Sequence, residues 1–178
     1  EIPIAIRECM SHEGIRAFLV SHGSSTVPQY IVQEINALGG EIQNAYGISK
    51  EELKAAIPCG IRKINVDTDI RLAVTRNLRE LFRDCPELKA DPVVGPIWTL
   101  LDEKRAAFDP RAFLPPIMDT VMYGTGEGEA LARITGAIER GVKEVVGTLI
   151  VEFGSVGRYP LVRMDTLETM IRRYKEGV

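Results

Sequence analysis

Cysteine is scarce in these 178 residues, with three copies at positions 9, 59 and 85. The count is odd and no Cys-x-x-Cys pair occurs, so neither a disulfide framework nor a thiolate zinc finger organises the chain. Reduced thiols in a cytoplasm are the expectation. Histidine is scarcer still, limited to His12 and His22. No apolar run approaches the roughly 18 residues that cross a bilayer, and the opening residues do not read as a signal peptide. The formal net charge of -3 shows no large excess of one sign, which gives no reason to expect nucleic acid or a membrane as partner. Basic clusters do occur, as in RNLRELFR and MIRRYK, but apolar positions interrupt them at helical spacing, as on solvated helix faces. Linkers rich in Pro, Gly or Ser, low-complexity tracts and clear repeats are all lacking, and a single domain over 1–178 is expected. With 45% hydrophobic and 26% charged residues, the composition is that of an ordinary soluble globular protein.

Periodicity supplies the elements. Residues 4–14 suit a short helix with Ile6, Cys9 and Met10 on one face. RAFLVS (16–21) is a short apolar run ended by His-Gly and reads as a buried strand. VPQYIVQEINAL (27–38) carries proline in its first turn and stops at Gly39-Gly40, which predicts a helix. SKEELKAAIPCG (49–60) opens with the capping box Ser49-x-x-Glu52. IRKINV (61–66) alternates and is rich in β-branched residues, a second strand. From Thr68 to about Asp84 the apolar positions 70, 72, 74, 78, 81 and 82 predict a long helix. Strand, helix and strand in this order make a βαβ-like unit with a parallel sheet.

Beyond residue 85 two Asp-Pro pairs divide the chain into helical pieces over 93–105 and 110–123. TGEGE (125–129) reads as a loop and EALARITGAIERG (129–141) as an amphipathic helix. DTLETMIRRYKEG (165–177) reads as another, capped by Asp165 or Thr166. VKEVVGTLIVEFG (142–154) stays open, since its composition favours a strand and its context a helix.

Both strands end in polar residues: His22-Gly23-Ser24-Ser25 after the first, Asn65-Val66-Asp67-Thr68-Asp69 after the second. Ligands of parallel α/β folds bind at the carboxyl ends of strands, so neighbouring strands would turn these segments to one site. Gly23 offers open backbone, Ser24, Ser25 and Thr68 offer hydroxyls, and the following helix starts offer amide donors. Together they suit a phosphate. A solvated polar turn explains HGSS as well. His22 reads either as a hydrogen-bonded structural residue or as a metal ligand. A catalytic zinc wants three protein ligands and one histidine cannot hold it. His12 has no companion at ligand spacing. Asn65 and Asp67 share a face by period-2 alternation, and Asp69 is expected to cap the helix that follows.

FLVSHGSSTVPQYIVQEINALGGEIQNAYGISKEELKAAIPCGIRKINVDTDIRLAVT (18–75) resembles class II, metal-dependent fructose-bisphosphate aldolases, of the form typical of Calvin-cycle and many bacterial enzymes. EFGSVGRYPLVRMDTLETMIRRYKEG resembles the family's C-terminal stretch, while 85–145 resembles it only loosely. The resemblance implies an α/β fold that is the C-terminal portion of a TIM (β/α)8 barrel. Residues 1–85 would hold its last two β/α units and 86–178 a helical extension. It implies a lyase that splits fructose 1,6-bisphosphate into dihydroxyacetone phosphate and glyceraldehyde 3-phosphate. By the same resemblance His22 is a zinc ligand. Gly23, Ser24, Ser25, Asp67 and Thr68 bind the phosphate of the triose, and Asn65 contacts it near the reacting carbons. A monovalent cation, Na+ or K+, sits near Gly23.

The family's remaining zinc histidines, acidic proton-transfer groups and six strands would lie upstream of Glu1, leaving this piece inactive alone. Leu149 stands where the family has an arginine for the far phosphate, which opens an alternative ketose bisphosphate such as tagatose 1,6-bisphosphate. A non-catalytic remnant acting as an association module is a further alternative. Sugar phosphates as ligands, a cytoplasmic location and a homo-oligomer, dimer or tetramer, complete the expectation.

Overall fold

The structure, a computed structural model, describes residues 2–43, 45–124, 126–162 and 165–176. It begins with helix α1 (Ile2–His12), which buries none of its residues. Strand β1 (Leu19–Ser21) follows, then α2 (Gln29–Ala37) and α3 (Lys50–Ala56), then strand β2 (Ile61–Ile64). The two strands pair in parallel, Leu19 against Ile61, Val20 against Lys63 and Ser21 against Ile64, with an irregularity between Leu19 and Val20. Among the described residues the sheet has only these two strands. Each is shorter than its sequence pattern: β1 pairs only from Leu19, and β2 stops at Ile64, before the polar residues that follow. The capping box of α3 forms as expected: the Glu52 N–H donates to Ser49 Oγ at 3.2 Å and the Ser49 N–H to Glu52 Oε2 at 3.1 Å.

Helix α4 (Thr68–Asp84) matches its expected bounds. It is the axis of the molecule. On one side Val74, Leu78 and Phe82 meet Leu88, Val94, Ile97, Leu101, Phe113, Ile117 and Ile134. On the other, Leu72 and Ala73 join Ile31, Val32, Ile35, Ile42 and Val145. Cys85-Pro86 ends the helix, since proline restricts the residue before it to extended conformations.

Helix α5 (Gly95–Glu103) fits its expected piece, but 110–123 is not one helix. It is two 3-10 turns, Pro110–Ala112 and Pro115–Ile117, then α6 (Met118–Tyr123). The pair Pro115-Pro116 lacks two backbone donors, so no continuous helix passes through it. In contrast, α7 (Glu129–Glu152) runs unbroken into the open segment 142–154 as far as Glu152. Its buried residues Leu131, Ile134, Ala137, Gly141 and Val145 repeat every three to four positions, and that period outweighs the strand propensity of its valines. Gly141 allows a close crossing, because a Cβ there would lie 2.9 Å from the Ala73 carbonyl carbon. The last helix, α8 (Leu167–Glu176), is capped by Thr166, whose Oγ1 accepts from the Thr169 N–H at 3.2 Å, while Asp165 pairs with Arg173 at 2.7 Å. Thr125 of the expected loop and Gly177 of the expected last helix lie outside the described residues. The observed architecture is α/β, mostly helical, with a small parallel sheet.

Candidate functional site

The parallel register puts the ends of β1 and β2 side by side. The Asn65 N–H donates to the Ser21 carbonyl at 3.0 Å and the Ser24 N–H to the Asn65 carbonyl at 3.2 Å, so the two polar loops leave the sheet together. Past this point Asn65 Nδ2 lies 2.8 Å from His22 Nδ1. The pair fixes the plane of an exposed imidazole. The amide nitrogen is the group turned to the ring, so it donates to Nδ1 and leaves the proton of the neutral imidazole on Nε2.

Ser25 joins the loops a second time. Its Oγ accepts from the backbone N–H of Asp67 at 3.1 Å and of Thr68 at 3.0 Å. The amides at the start of α4 are therefore spent on the serine oxygen, and the serine O–H, polarised by two donors, remains to face a ligand. Gly23 has φ +63° and nothing within 4 Å of the position a Cβ would take, so its backbone faces open space. Ser24 differs from expectation. It is fully buried, and its Oγ lies 2.6 Å from Ser21 Oγ. Its hydroxyl braces the loop from beneath, where it meets protein rather than ligand.

Asp69 also departs from its expected role. It is 2% exposed, and its carboxylate reaches across to the first loop instead of capping α4. Oδ2 accepts from the Thr26 N–H at 3.0 Å and the Thr26 hydroxyl at 2.8 Å, and Oδ1 accepts from the Val27 N–H at 2.9 Å. Three donors converging on one carboxylate outcompete a single helix-end amide. They hold Val27 at φ 51°, a region that β-branched residues avoid.

Further supports carry no motif. A Cβ on Gly47 would fall 2.7 Å from the Thr26 carbonyl carbon and against the Ser25 carbonyl, while the next residue's N–H, that of Ile48, donates to the Ser25 carbonyl at 3.1 Å. Arg71 grips Asp67 through Nε at 2.7 Å and a terminal nitrogen at 2.5 Å, and its other terminal nitrogen bonds Asp109. Asp109 is held by Arg111 as well. Hydrogen bonds from the Arg111 side chain above all, with Arg71 adding, push its carboxyl down to about 2. Leu149, on α7, packs against the cluster around Ile31 and Ile35.

The family model for fructose-bisphosphate aldolase class-II matches residues 4–158. The chain belongs to the class-II fructose-bisphosphate aldolase family. Among curated members of the family, a fructose-bisphosphate aldolase of Xanthobacter flavus is 33% identical over 159 residues, covering 89% of this chain and 34% of the relative. One of Thermus caldophilus is 38% identical over 144 residues, 81% of this chain and 34% of the relative. One of Nostoc sp. is 31% identical over 159 residues, 89% and 33% respectively. The chain thus spans about a third of the length of the curated aldolases it matches.

Class-II aldolases are generally metal-dependent, which makes the donor set of this chain the question. Among the described residues no three His, Cys, Asp or Glu side chains converge on a metal position. A catalytic zinc takes three protein ligands, so the described donors alone do not hold the ion. His22 presents an exposed ring held by a neighbouring amide.

Proposed function

We propose that this chain supplies the triose-phosphate side of a class-II aldolase site, in an enzyme that cleaves fructose 1,6-bisphosphate to dihydroxyacetone phosphate and glyceraldehyde 3-phosphate. The supporting observation is the meeting of His22 with Asn65 and of Ser25 with the Asp67 and Thr68 amides at one sheet end. In this reading β1 and β2 are the last two strands of a (β/α)8 barrel within a single domain. Residues 1–85 form its last β/α units and 86–178 the helical extension.

Each residue has a stated part. The Ser25 and Thr68 hydroxyls and the open backbone at Gly23 hold the phosphate, with Asp67 at its rim anchoring Ser25 through its backbone amide and a Na+ or K+ ion beside Gly23. Binding energy from that remote group positions the reacting carbons. Asn65 contacts the triose and orients His22. The imidazole is one ligand of a zinc site whose other ligands are not among the described residues. A cytoplasmic homo-oligomer acting on sugar phosphates belongs to the same proposal.

The test uses the complete natural protein. Cleavage of fructose 1,6-bisphosphate is expected to stop on chelation and return with zinc, and His22→Ala is expected to abolish it. Ser25→Ala is expected to raise the KM about tenfold, the loss of one charge-assisted hydrogen bond, with a smaller fall in kcat. Turnover that survives chelation, or near-normal turnover in His22→Ala, refutes the metal assignment. Preference for tagatose 1,6-bisphosphate would refute the assigned substrate and point to Leu149 as the altered position.

A further inference from the structure

We propose that Arg71 is a positioning residue for the candidate site, joining Asp67 on the loop after β2 to Asp109 on the turn before Pro110 and cancelling the charge that both carboxylates would set against a phosphate. The proposal rests on the phosphate reading above.

The arrangement is unusual for a site expected to attract an anion. Asp67 stands at its rim with its side chain 67% exposed, one residue before the helix whose first amides meet Ser25. An uncompensated carboxylate there repels a phosphate and favours loop conformations that turn away from it. Arg71, one turn into α4, meets Asp67 side-on with two nitrogens, the geometry in which a guanidinium fixes orientation as well as charge. Its third nitrogen bonds Asp109. That turn is docked on α4 a second time, since the Thr75 hydroxyl donates to the Phe108 carbonyl at 2.9 Å.

Asp109 is in turn shared with Arg111, which approaches it at 2.5 Å. Two acids and two bases thus alternate as Asp67, Arg71, Asp109 and Arg111. The region beyond residue 85 looks like an appendage in sequence, yet this chain of charges wires it to the mouth of the site. Arg71 touches no reacting atom. It acts by holding Asp67 still and neutral toward an incoming anion.

The experiment measures inorganic phosphate and dihydroxyacetone phosphate binding by calorimetry, with KM and kcat, in the complete natural protein. Arg71→Met is expected to weaken phosphate binding about tenfold, the scale of one uncompensated carboxylate near an anion at a protein surface, and to raise KM more than it lowers kcat. Arg71→Lys, which keeps the charge and guards against misfolding, is expected to fall between. Adding Asp67→Asn to Arg71→Met is expected to recover most of the lost affinity, which a role in folding alone would not allow. Arg133→Met, which breaks an ion pair with Glu87 far along the chain, is expected to bind phosphate normally. Unchanged affinity in Arg71→Met, or no recovery on neutralising Asp67, overturns the proposal. If the unaltered protein binds neither ligand, the phosphate reading itself fails and this inference falls with it.

Discussion

Gly47 shows how much of a site is decided by a residue with no chemistry of its own. It lies on a surface loop, and nothing in IQNAYGISK marks it as more than a turn. Its α-carbon nevertheless rests against the backbone of Ser25 and Thr26, and the neighbouring Ile48 amide bonds the Ser25 carbonyl. Gly47→Ala is expected to push the Ser25 loop outward, costing about 1–3 kcal/mol of stability, the usual range for an overpacked contact. Equilibrium urea unfolding measures the cost, and phosphate affinity should fall in parallel. A variant as stable as the parent, with unchanged affinity, would show that the loop yields without cost. His22, Ser25, Asn65 and Thr68 are all readable as polar residues at strand ends. The supporting contacts of Gly47, Asp69 and Arg71 are not, because a carboxylate or guanidinium advertises its charge and not its partner.

At the scale of elements, the loop after β2 and the Asp109 turn behave as one unit through their ion pairs. Asp109 is held at about 2 in the folded chain against about 3.9 when unfolded. Its folded pKa is depressed, so its contribution is complete above about pH 4 and lost as pH falls through about 2. The difference in urea midpoint between the parent and Asp109→Asn is therefore expected to be constant from about pH 5 to 8 and to shrink towards nothing as pH falls through about 2. A difference that persists undiminished there would assign the effect to shape rather than charge. The elements themselves divide by how local their causes are. Helix α4 is legible to the residue and α3 by its capping box, since apolar spacing and cap chemistry are written in adjacent positions. The 110–123 segment fails as a single helix because Pro115-Pro116 breaks it. The second half of α7 is undecidable from composition, as valine and isoleucine serve a buried strand or a helix flank equally.

For the whole molecule, α4 bears the greatest share of the packing, because it supplies both apolar clusters and buries nine residues against five in α7. Amides from Leu72 to Phe82 are expected to exchange with solvent hydrogen most slowly, through global opening. Those of α1 and α8, which bury no residue, are expected to exchange fastest, and β1 and β2 to lie between, since an isolated strand pair is marginal in water. Hydrogen exchange by mass spectrometry on the 178-residue chain reads this order directly. Protection of α8 equal to that of α4 would mean that another surface covers it. The exposed apolar side chains of α1, β1 and α8 match a chain that spans about a third of its relatives' length.

The amino-acid sequence alone determined the order of elements as far as α5, the bounds of α4, the two polar strand ends and the family, because each depends on residues close together in the chain. Only the tertiary structure decided which groups meet. Parallel pairing of β1 with β2 set Asn65 against His22, the packing of the first loop on α4 turned Asp69 from a cap into a clamp, and the return of residues 108–111 gave Arg71 its second carboxylate. Those contacts bridge some 38 to 43 positions, and partners that far apart are selected by how the chain folds back on itself, which adjacent residues do not encode.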